Sequence, residues 1–415
     1  MKLKQIDQLV VFYEPEQGRR IKVGRLARDK QRRILFEYDA SFLGSNLALS
    51  PFKLPLVPGV VVGQSGALDG LMGVFDDSLP DGWGRLLIDR RAAELELSPS
   101  SLSPLDRLTL VGARAMGALV YEPETAIEDP TIVKLSELAR ETETVQQGAS
   151  GADLERLIAV GGSPQGARPK VLIQLSPTGE LRFGARNIEP GFTAWLVKFR
   201  GPHDDASSAA LEHSYFLMAK AAGLDVPRTQ ILGKPKQDAG YFAIERFDRM
   251  GTMRRHTQTV GGLLDHPHGY AAFDYRDLLK VTRRLTRDEA AVAEMFRRAC
   301  FNVLARNRDD HTRNFAFVMD EQGVWRPSPA YDLTFADGPG GEHSMLICGE
   351  GKNPQRDHLL RLAKEADLKR PVAIIDEVRA AIDGFKGFAD EGGVPAKRRD
   401  AVAKALGGSK SGKKK

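Results

Sequence analysis

Over the first 40 residues apolar and polar positions alternate with a period near two. The runs LVVFYEP, RRIKVGRLA and RILFEYD, separated by turn-forming or charged stretches, predict three strands of a β-meander. A loop-rich stretch follows, and then DDSLPDGWGRLLIDRRAAELEL switches to helical spacing. Asp81 or Ser78 is expected to cap a helix whose apolar face includes Trp83, Leu86 and Leu87. GALVY, Gly117 to Tyr121, predicts one more strand. The polar, proline-bearing EPETAIEDP then closes a first domain, residues 1–125.

In the next segment, residues 126–247, a helix is expected near Lys134 to Glu143. VLIQL, the turn SPTGE and LRFGA form a hairpin pattern, and AWLVKF predicts a further strand. ASSAALEHSYFLMAKAAGL carries apolar residues at helical spacing and stops at Gly223. TQILG and YFAIERFDR predict two more strands. From residue 248 to 406 helical spacing dominates. RDEAAVAEMFRRACFNVLA places Val292, Met295, Phe296, Ala299 and Val303 on one face, and RDHLLRLAKEA and VAIIDEVRAAIDGF repeat the pattern. The expected class is α+β, a β-rich lobe followed by an α-rich lobe, with an extra N-terminal β-containing domain. The remaining residues, 407–415, form a basic tail expected to be flexible.

Composition changes little in this outline. The balance of 60 Lys and Arg against 55 Asp and Glu gives a net charge of +5, and the last six residues, KSGKKK, supply four of those lysines. A nucleic-acid field spread over the whole chain is therefore not indicated. The two cysteines, Cys300 and Cys348, lack metal-ribbon spacing and fit a reducing cytoplasm. No apolar run approaches the roughly 20 residues a membrane span needs. A cytoplasmic protein without membrane contact is expected.

Candidate chemistry centres on NRDDHTRN, Asn307 to Asn314. It packs two Asp, one His, two Arg and two Asn into eight residues directly after a helix. Asp309 and Asn314 stand in the spacing D-x-x-x-x-N, which phosphoryl-transfer catalytic loops use for a proton acceptor and a magnesium ligand. FAFVMDEQGVW is expected to form a hairpin with DEQG as its turn, returning the chain so that Asp332 in PSPAYDLTF lies beside Asn314. Magnesium takes oxygen ligands, which Asp and Asn supply. Asp310 and Arg313 are left as solvent or scaffold residues.

Three upstream features gain weight from their order. LIAVGGSPQGARPK holds Gly161, Gly162 and Gly166 and ends on Lys170. Its backbone N–H groups suit phosphate, although an ordinary turn is the simpler alternative. Lys198 in AWLVKF is a lysine within an apolar strand, suited to the phosphates of a nucleotide, or else an edge lysine facing solvent. Glu212 on the following helix is an ion-pair candidate for it, or a surface glutamate. FAIERFDR falls where adenine would meet backbone near Glu245 to Phe247, with a salt-bridged strand end as the alternative. Gly-rich loop, strand lysine, helix glutamate, strand, helix, D-x-x-x-x-N and Asp is the order of a two-lobed protein-kinase-like fold.

With SLPDGWGR, VGGSPQGARPK, WLVKF, ERFDR, NRDDHTRNFAF and PAYDLTF in sequence, nearly the whole chain resembles the HipA family of serine/threonine kinases, the toxin halves of bacterial type II toxin–antitoxin pairs. The resemblance implies ATP and Mg2+ as cofactors and Asp309 as proton acceptor, with Asn314 and Asp332 on the metal. It implies His311 and Tyr331 beside the nucleotide, Lys198 on its phosphates, and Glu245 and Phe247 around adenine. Gly161, Gly162, Ser163 and Lys170 would form the phosphate loop. It also implies a protein substrate such as an aminoacyl-tRNA synthetase, the glutamyl enzyme among them, and a helix-turn-helix antitoxin that carries the pair to operator DNA. Family members autophosphorylate a serine at or near the Gly-rich loop. Here the loop is expected to open at Ala159, and its one serine, Ser163, is either that regulatory site or a donor to phosphate.

Two other functions are weighed against a kinase. A kinase-like co-repressor would bind antitoxin and operator DNA and use the basic run Lys397, Arg398 and Arg399. A metal-dependent phosphohydrolase would use Asp309, Asp310 and His311, with His256, His266 or His268 as further ligands.

Overall fold

The structure is a computed structural model and describes residues 5–64, 68–127, 134–162, 166–184, 186–233, 240–267 and 273–407. The chain divides into two compact units. The first comprises Met1–His203, Ala243–Pro267 and Phe317–Val324. The second comprises Asp204–Phe242, His268–Ala316 and Trp325–Lys415. No helix among the described residues is long and apolar enough to cross a membrane.

The first unit is rich in strands. β1 (Gln8–Glu16), β2 (Arg19–Arg28) and β3 (Ile34–Tyr38) form the expected antiparallel meander, with Leu9 opposite Leu26 and Leu26 opposite Phe36. β4 (Val60–Val62) extends the sheet beyond β3. β5 (Leu119–Glu122) pairs with the other edge of β1, Val11 facing Tyr121. Alternation selects the buried face: Leu9, Val11 and Tyr13 are buried, while Val10 and Phe12 between them are only half-buried. The β1–β2 register shifts between Val11 and Phe12, and Gly24 lies at the shift. A Cβ there would stand 2.2 Å from the Glu37 carbonyl oxygen, so only glycine lets the strands approach. Phe36 fills the core beside Tyr38 and Phe75, at 4.8 and 4.9 Å between ring centres.

Helix α1 (Gly82–Glu94) follows the SLPDGWGR turn. Its buried residues are Trp83, Leu87, Ile88 and Ala92, whereas Leu86 is 37% exposed. The apolar stripe therefore runs through Ile88 rather than through the expected Leu86: at about 100° per residue the four buried positions centre between Leu87 and Ile88, and Leu86 falls outside that arc. α2 (Leu135–Gln146) buries Leu135, Leu138, Thr142 and Val145, as its spacing predicts. α3 (Leu154–Gly161) is capped by Asp153, whose carboxylate accepts from the Arg156 N–H at 2.9 Å. The loop expected to open at Ala159 is thus still helix there, and Gly161 ends its last turn. β6 (Lys170–Leu175) and β7 (Leu181–Phe183) form the predicted hairpin. β8 (Thr193–Lys198) pairs antiparallel with the other edge of β6.

The second unit is helical. α4 (Ser208–Ala221), α5 (Tyr275–Thr286), α6 (Glu289–Leu304), α7 (Arg356–Glu365), α8 (Pro371–Asp383) and α9 (Ala396–Gly407) are its main elements. On α6, Val292, Met295, Phe296, Ala299 and Val303 are all buried, in the expected periodicity. Tyr215 of α4 packs edge-on against Phe301 of α6 and against Phe385, at 6.2 and 6.0 Å. After α6 comes the crowded polar loop, then the hairpin Ala316–Met319 and Trp325–Pro327, of which Phe317–Val324 is counted with the first unit. Its tip is the DEQG turn, where the Asp320 N–H donates to the Val324 carbonyl at 3.1 Å. At its base the Ser328 N–H donates to the Ala316 carbonyl at 2.9 Å.

Candidate active site

The second unit gathers the charged loop and its returning segment. Past α6 the Asn307 N–H donates to the Asn302 carbonyl at 2.9 Å, and the chain then extends. Adjacent side chains diverge: the Asp309 carboxylate is 61% exposed, whereas that of Asp310 is fully buried. His311 lies beside Asp309, with Nε2 3.7 Å from Oδ1. A short turn over Thr312–Asn314 brings Asn314 back, and its Nδ2 donates to the Asp309 main-chain carbonyl at 2.6 Å. That bond uses the amide nitrogen and leaves Oδ1 as the group's acceptor, the chemistry a hard cation requires.

The hairpin returns the chain as its pattern predicts. Tyr331 donates its hydroxyl to the Arg313 carbonyl at 2.7 Å, which ties the residue before Asp332 to the residue before Asn314. Asn307 Nδ2 donates to the Asp332 carbonyl at 3.3 Å. Asp332 holds a left-handed backbone with φ of 52°, uncommon for a residue other than glycine and frequent at functional turns. Three side-chain to main-chain hydrogen bonds thus close the Asn307–Asn314 loop and tie it to the Tyr331–Asp332 segment, with His311 beside Asp309. The donor set of carboxylate and amide oxygens fits magnesium.

In the first unit, β6 and β8 set Lys170 directly opposite Lys198. Cross-strand partners lie on one face, so two ammonium groups share one patch. Lys170 is 5% exposed and Lys198 half-buried. A Cβ built on Gly166 would stand 2.5 Å from the Lys170 Nζ, so the ammonium lies against the glycine-rich segment. Gly162, with φ of 59°, turns the chain out of α3. A concave surface lined by Trp83, Leu87, Ile88, Ile158, Gly162 and Lys170 adjoins this turn. Asp81 does not cap α1 with its side chain; it accepts from the Gly166 N–H, and the Trp83 N–H donates to the Gly166 carbonyl at 3.2 Å. The SLPDGWGR turn therefore grips the far side of the glycine-rich segment, a contact across more than 80 residues that no local pattern signals.

Glu245 ends the strand Tyr241–Glu245, and Phe247 follows, both half-buried. Between and after them, Arg246 and Asp248 point into the unit. Arg246 makes a two-pronged contact with Asp248 at 2.9 and 2.7 Å, and Arg249 adds another at 2.7 Å. Burial alone would raise the Asp248 carboxyl, but Arg246 and Arg249 hold it well below the usual carboxylate range. ERFDR is a salt-bridged strand end in its Arg246, Asp248 and Arg249, while Glu245 and Phe247 alternate with that cluster.

Other expectations resolve individually. Glu212 is 2% exposed, so it is a buried residue of α4 and not a surface glutamate. Asp310 is scaffold, with no exposure to solvent. Ser163 and His268 lie outside the described residues. His256 is buried in the first unit, its Nε2 2.9 Å from the Leu49 carbonyl, and burial lowers its pKa to about 4. Among the described residues no group of three or more His, Cys, Asp and Glu is placed to hold a metal ion.

Comparison with known proteins agrees with this layout. The family model for the HipA-like C-terminal domain matches residues 162–384, and that for the HipA N-terminal domain matches residues 18–122. The serine/threonine-protein kinase toxin HipA of Shewanella oneidensis is 24% identical over 309 residues, 68% of this chain and 67% of that one. The putative kinase Y4mE of Sinorhizobium fredii is 25% identical over 253 residues, 58% of this chain and 54% of that one. Among solved structures, the Shewanella oneidensis HipA, HipB and operator DNA complex contains a chain that matches over 94% of this chain and 93% of its own. The TM-score is 0.67 at 19% sequence identity, which speaks for the fold: an α+β, kinase-like architecture with a β-rich and an α-rich part. Since the C-terminal model alone takes in more than half of the residues and the N-terminal model covers β2, β3 and α1, the chain belongs to the HipA family.

Proposed function

We propose that this chain is an ATP- and Mg2+-dependent serine/threonine protein kinase that acts as the toxin of a toxin–antitoxin pair. The observation that carries this reading is the joining of the Asp309–Asn314 loop to the Asp332 segment by the Tyr331–Arg313 and Asn307–Asp332 hydrogen bonds. The exposed Asp309 carboxylate accepts the proton of the substrate hydroxyl as that oxygen attacks the terminal phosphorus of ATP and the bond to ADP breaks. Asn314 Oδ1 and the Asp332 carboxylate are the ligands for Mg2+, which when bound neutralises charge on the phosphates. Lys170 and Lys198 bind the phosphates from the shared face of β6 and β8, with Gly161, Gly162 and Ser163 as the phosphate loop. Glu245 and Phe247 line the adenine, and His311 and Tyr331 flank the nucleotide.

The protein substrate belongs on this reading to the translation machinery, an aminoacyl-tRNA synthetase in particular, and Ser163 is the residue of inhibitory autophosphorylation. A small helix-turn-helix antitoxin is the proposed partner, through which operator DNA is engaged. The solved complex of HipA with HipB and operator DNA supports that partner for this chain. The test is transfer from labelled ATP with Mg2+ to protein. Asp309→Ala is expected to lower it by at least about a hundredfold, and transfer equal to that of the unaltered chain would overturn the kinase reading.

A further inference from the structure

The second unit buries a run of polar side chains that phosphoryl transfer itself does not use. Asp310 is its first member. Its Oδ2 accepts from the Tyr275 hydroxyl at 2.9 Å and from His343 Nδ1 at 2.9 Å. Its Oδ1 accepts from the Ser344 N–H at 2.8 Å. Tyr275, the first residue of α5, accepts in turn from Asn302 Nδ2 at 3.0 Å. Asn302, on the last turn of α6, accepts at Oδ1 from Asn307 Nδ2 at 3.0 Å. Asn307 Nδ2 also reaches the Asp332 carbonyl at 3.3 Å. The roles along this sequence are compatible: the tyrosine hydroxyl donates to the carboxylate, Asn302 and Asn307 each donate back toward Asp310, and Asn307 donates also to the Asp332 carbonyl.

All four side chains are buried: Asp310 and Tyr275 at 0%, Asn307 at 2% and Asn302 at 4% exposed. Such burial is costly for a carboxylate unless its lone pairs are filled, and apolar residues of the same volume would stabilise the unit as well or better. The run therefore specifies geometry. Its two ends fall on the two segments that carry the reacting groups. Asp310 is the neighbour of Asp309, so fixing its carboxylate inward directs Asp309 outward. The Asp332 carbonyl is held where the backbone is left-handed and would otherwise relax. The Tyr275 hydroxyl is kept protonated by burial and by the Asp310 charge, so the donor persists at all ordinary pH.

We infer that Asp310, Tyr275, Asn302 and Asn307 are positioning residues for phosphoryl transfer, a buried hydrogen-bond relay that sets the proton-accepting loop and the metal-binding segment in register with each other. This inference rests on the kinase reading. Tyr275→Phe removes the central hydroxyl while keeping the ring that packs edge-on against Phe315 at 5.7 Å. Asn302→Ser breaks the relay at its next link.

In the full chain each variant is expected to lower kcat for transfer by roughly tenfold to a hundredfold, with KM for ATP changed by less than about twofold. With Mg2+ saturating, that KM does not report the metal site, whereas calorimetric binding of Mg2+ to the ADP-loaded chain should weaken by about tenfold. Combining Tyr275→Phe with Asp310→Asn should add little to the larger single effect, because both cut one relay. A lower melting temperature with unchanged kcat and unchanged Mg2+–ADP binding in both single variants would make the run purely structural and overturn the inference. Equal activity of Asp309→Ala and the unaltered chain would remove the kinase reading itself. An inactive Asp309→Ala beside fully active Tyr275→Phe and Asn302→Ser would sink this inference alone.

Discussion

Two pairs of like residues take contrasting parts in this chain. Asp309 and Asp310 are consecutive carboxylates, one exposed to solvent and one enclosed by Tyr275, His343 and Ser344. On the proposed reading only the exposed member could reach a substrate hydroxyl, and the enclosed one has the partners to act as a fixed point. Lys170 and Lys198 are opposite members of a strand pair. Two ammonium groups on one face repel, and on the proposed kinase reading a polyphosphate between them would convert that cost into binding. Replacing either lysine by methionine is predicted to raise KM for ATP by roughly tenfold or more, since one hydrogen bond to a charged group contributes about 1.5–3 kcal/mol. Steady-state transfer at varied ATP checks it. A KM unchanged in both variants would detach the pair from the nucleotide.

Between elements, the decisive contact joins the SLPDGWGR turn to the glycine-rich segment. Gly82 has φ of 37°, and a Cβ there would meet the Ala167 Cα at 2.7 Å and the Gly166 carbonyl oxygen at 2.8 Å. Both are backbone atoms and cannot swing aside. Gly82→Ala is therefore predicted to displace the segment bearing Gly166, to destabilise the first unit by roughly 1–3 kcal/mol, and to raise KM for ATP. Denaturant unfolding and steady-state kinetics measure the two effects separately. This contact also marks where local pattern ceases to inform. The meander, the β6–β7 hairpin, α6 and the DEQG hairpin follow from periodicity and turn residues, because each is decided within about a dozen residues. The spacing of Asp309, Asn314 and Asp332 was legible for the same reason. Asp81 on Gly166, Tyr275 on Asp310 and the burial of Glu212 depend on residues brought together by tertiary folding, so those side chains resemble ordinary surface residues in sequence. The helical reach of α3 did carry a local signal, Asp153 at its cap, that the glycines following it obscured.

At the scale of the molecule, the first unit is discontinuous: Ala243–Pro267 returns to a body built from the first 203 residues. Buried polar contacts fasten the returning segment. Arg254 pairs with Glu14 at 2.8 Å, Asp248 accepts from the Gly117 N–H at 2.7 Å, and Arg249 donates to the Ala115 carbonyl at 2.9 Å. His256 lies 2.9 Å from the Leu49 carbonyl and adds a pH dependence of known sign. Burial lowers its pKa from 6.5 to about 4, so the folded chain refuses a proton that the unfolded chain accepts. Its stabilising share is complete above about pH 6.5 and falls as pH drops through the window down to 4. Over those 2.5 units the loss approaches roughly 3 kcal/mol. His256→Gln keeps an amide donor for Leu49 without a titrating group. It is predicted to show a flatter fall in unfolding free energy between pH 6.5 and 4, measured by denaturant titration at several pH values. Carboxylates titrate in both proteins and cancel in the difference, so parallel curves would show that His256 is not the group through which acid loosens the returning segment.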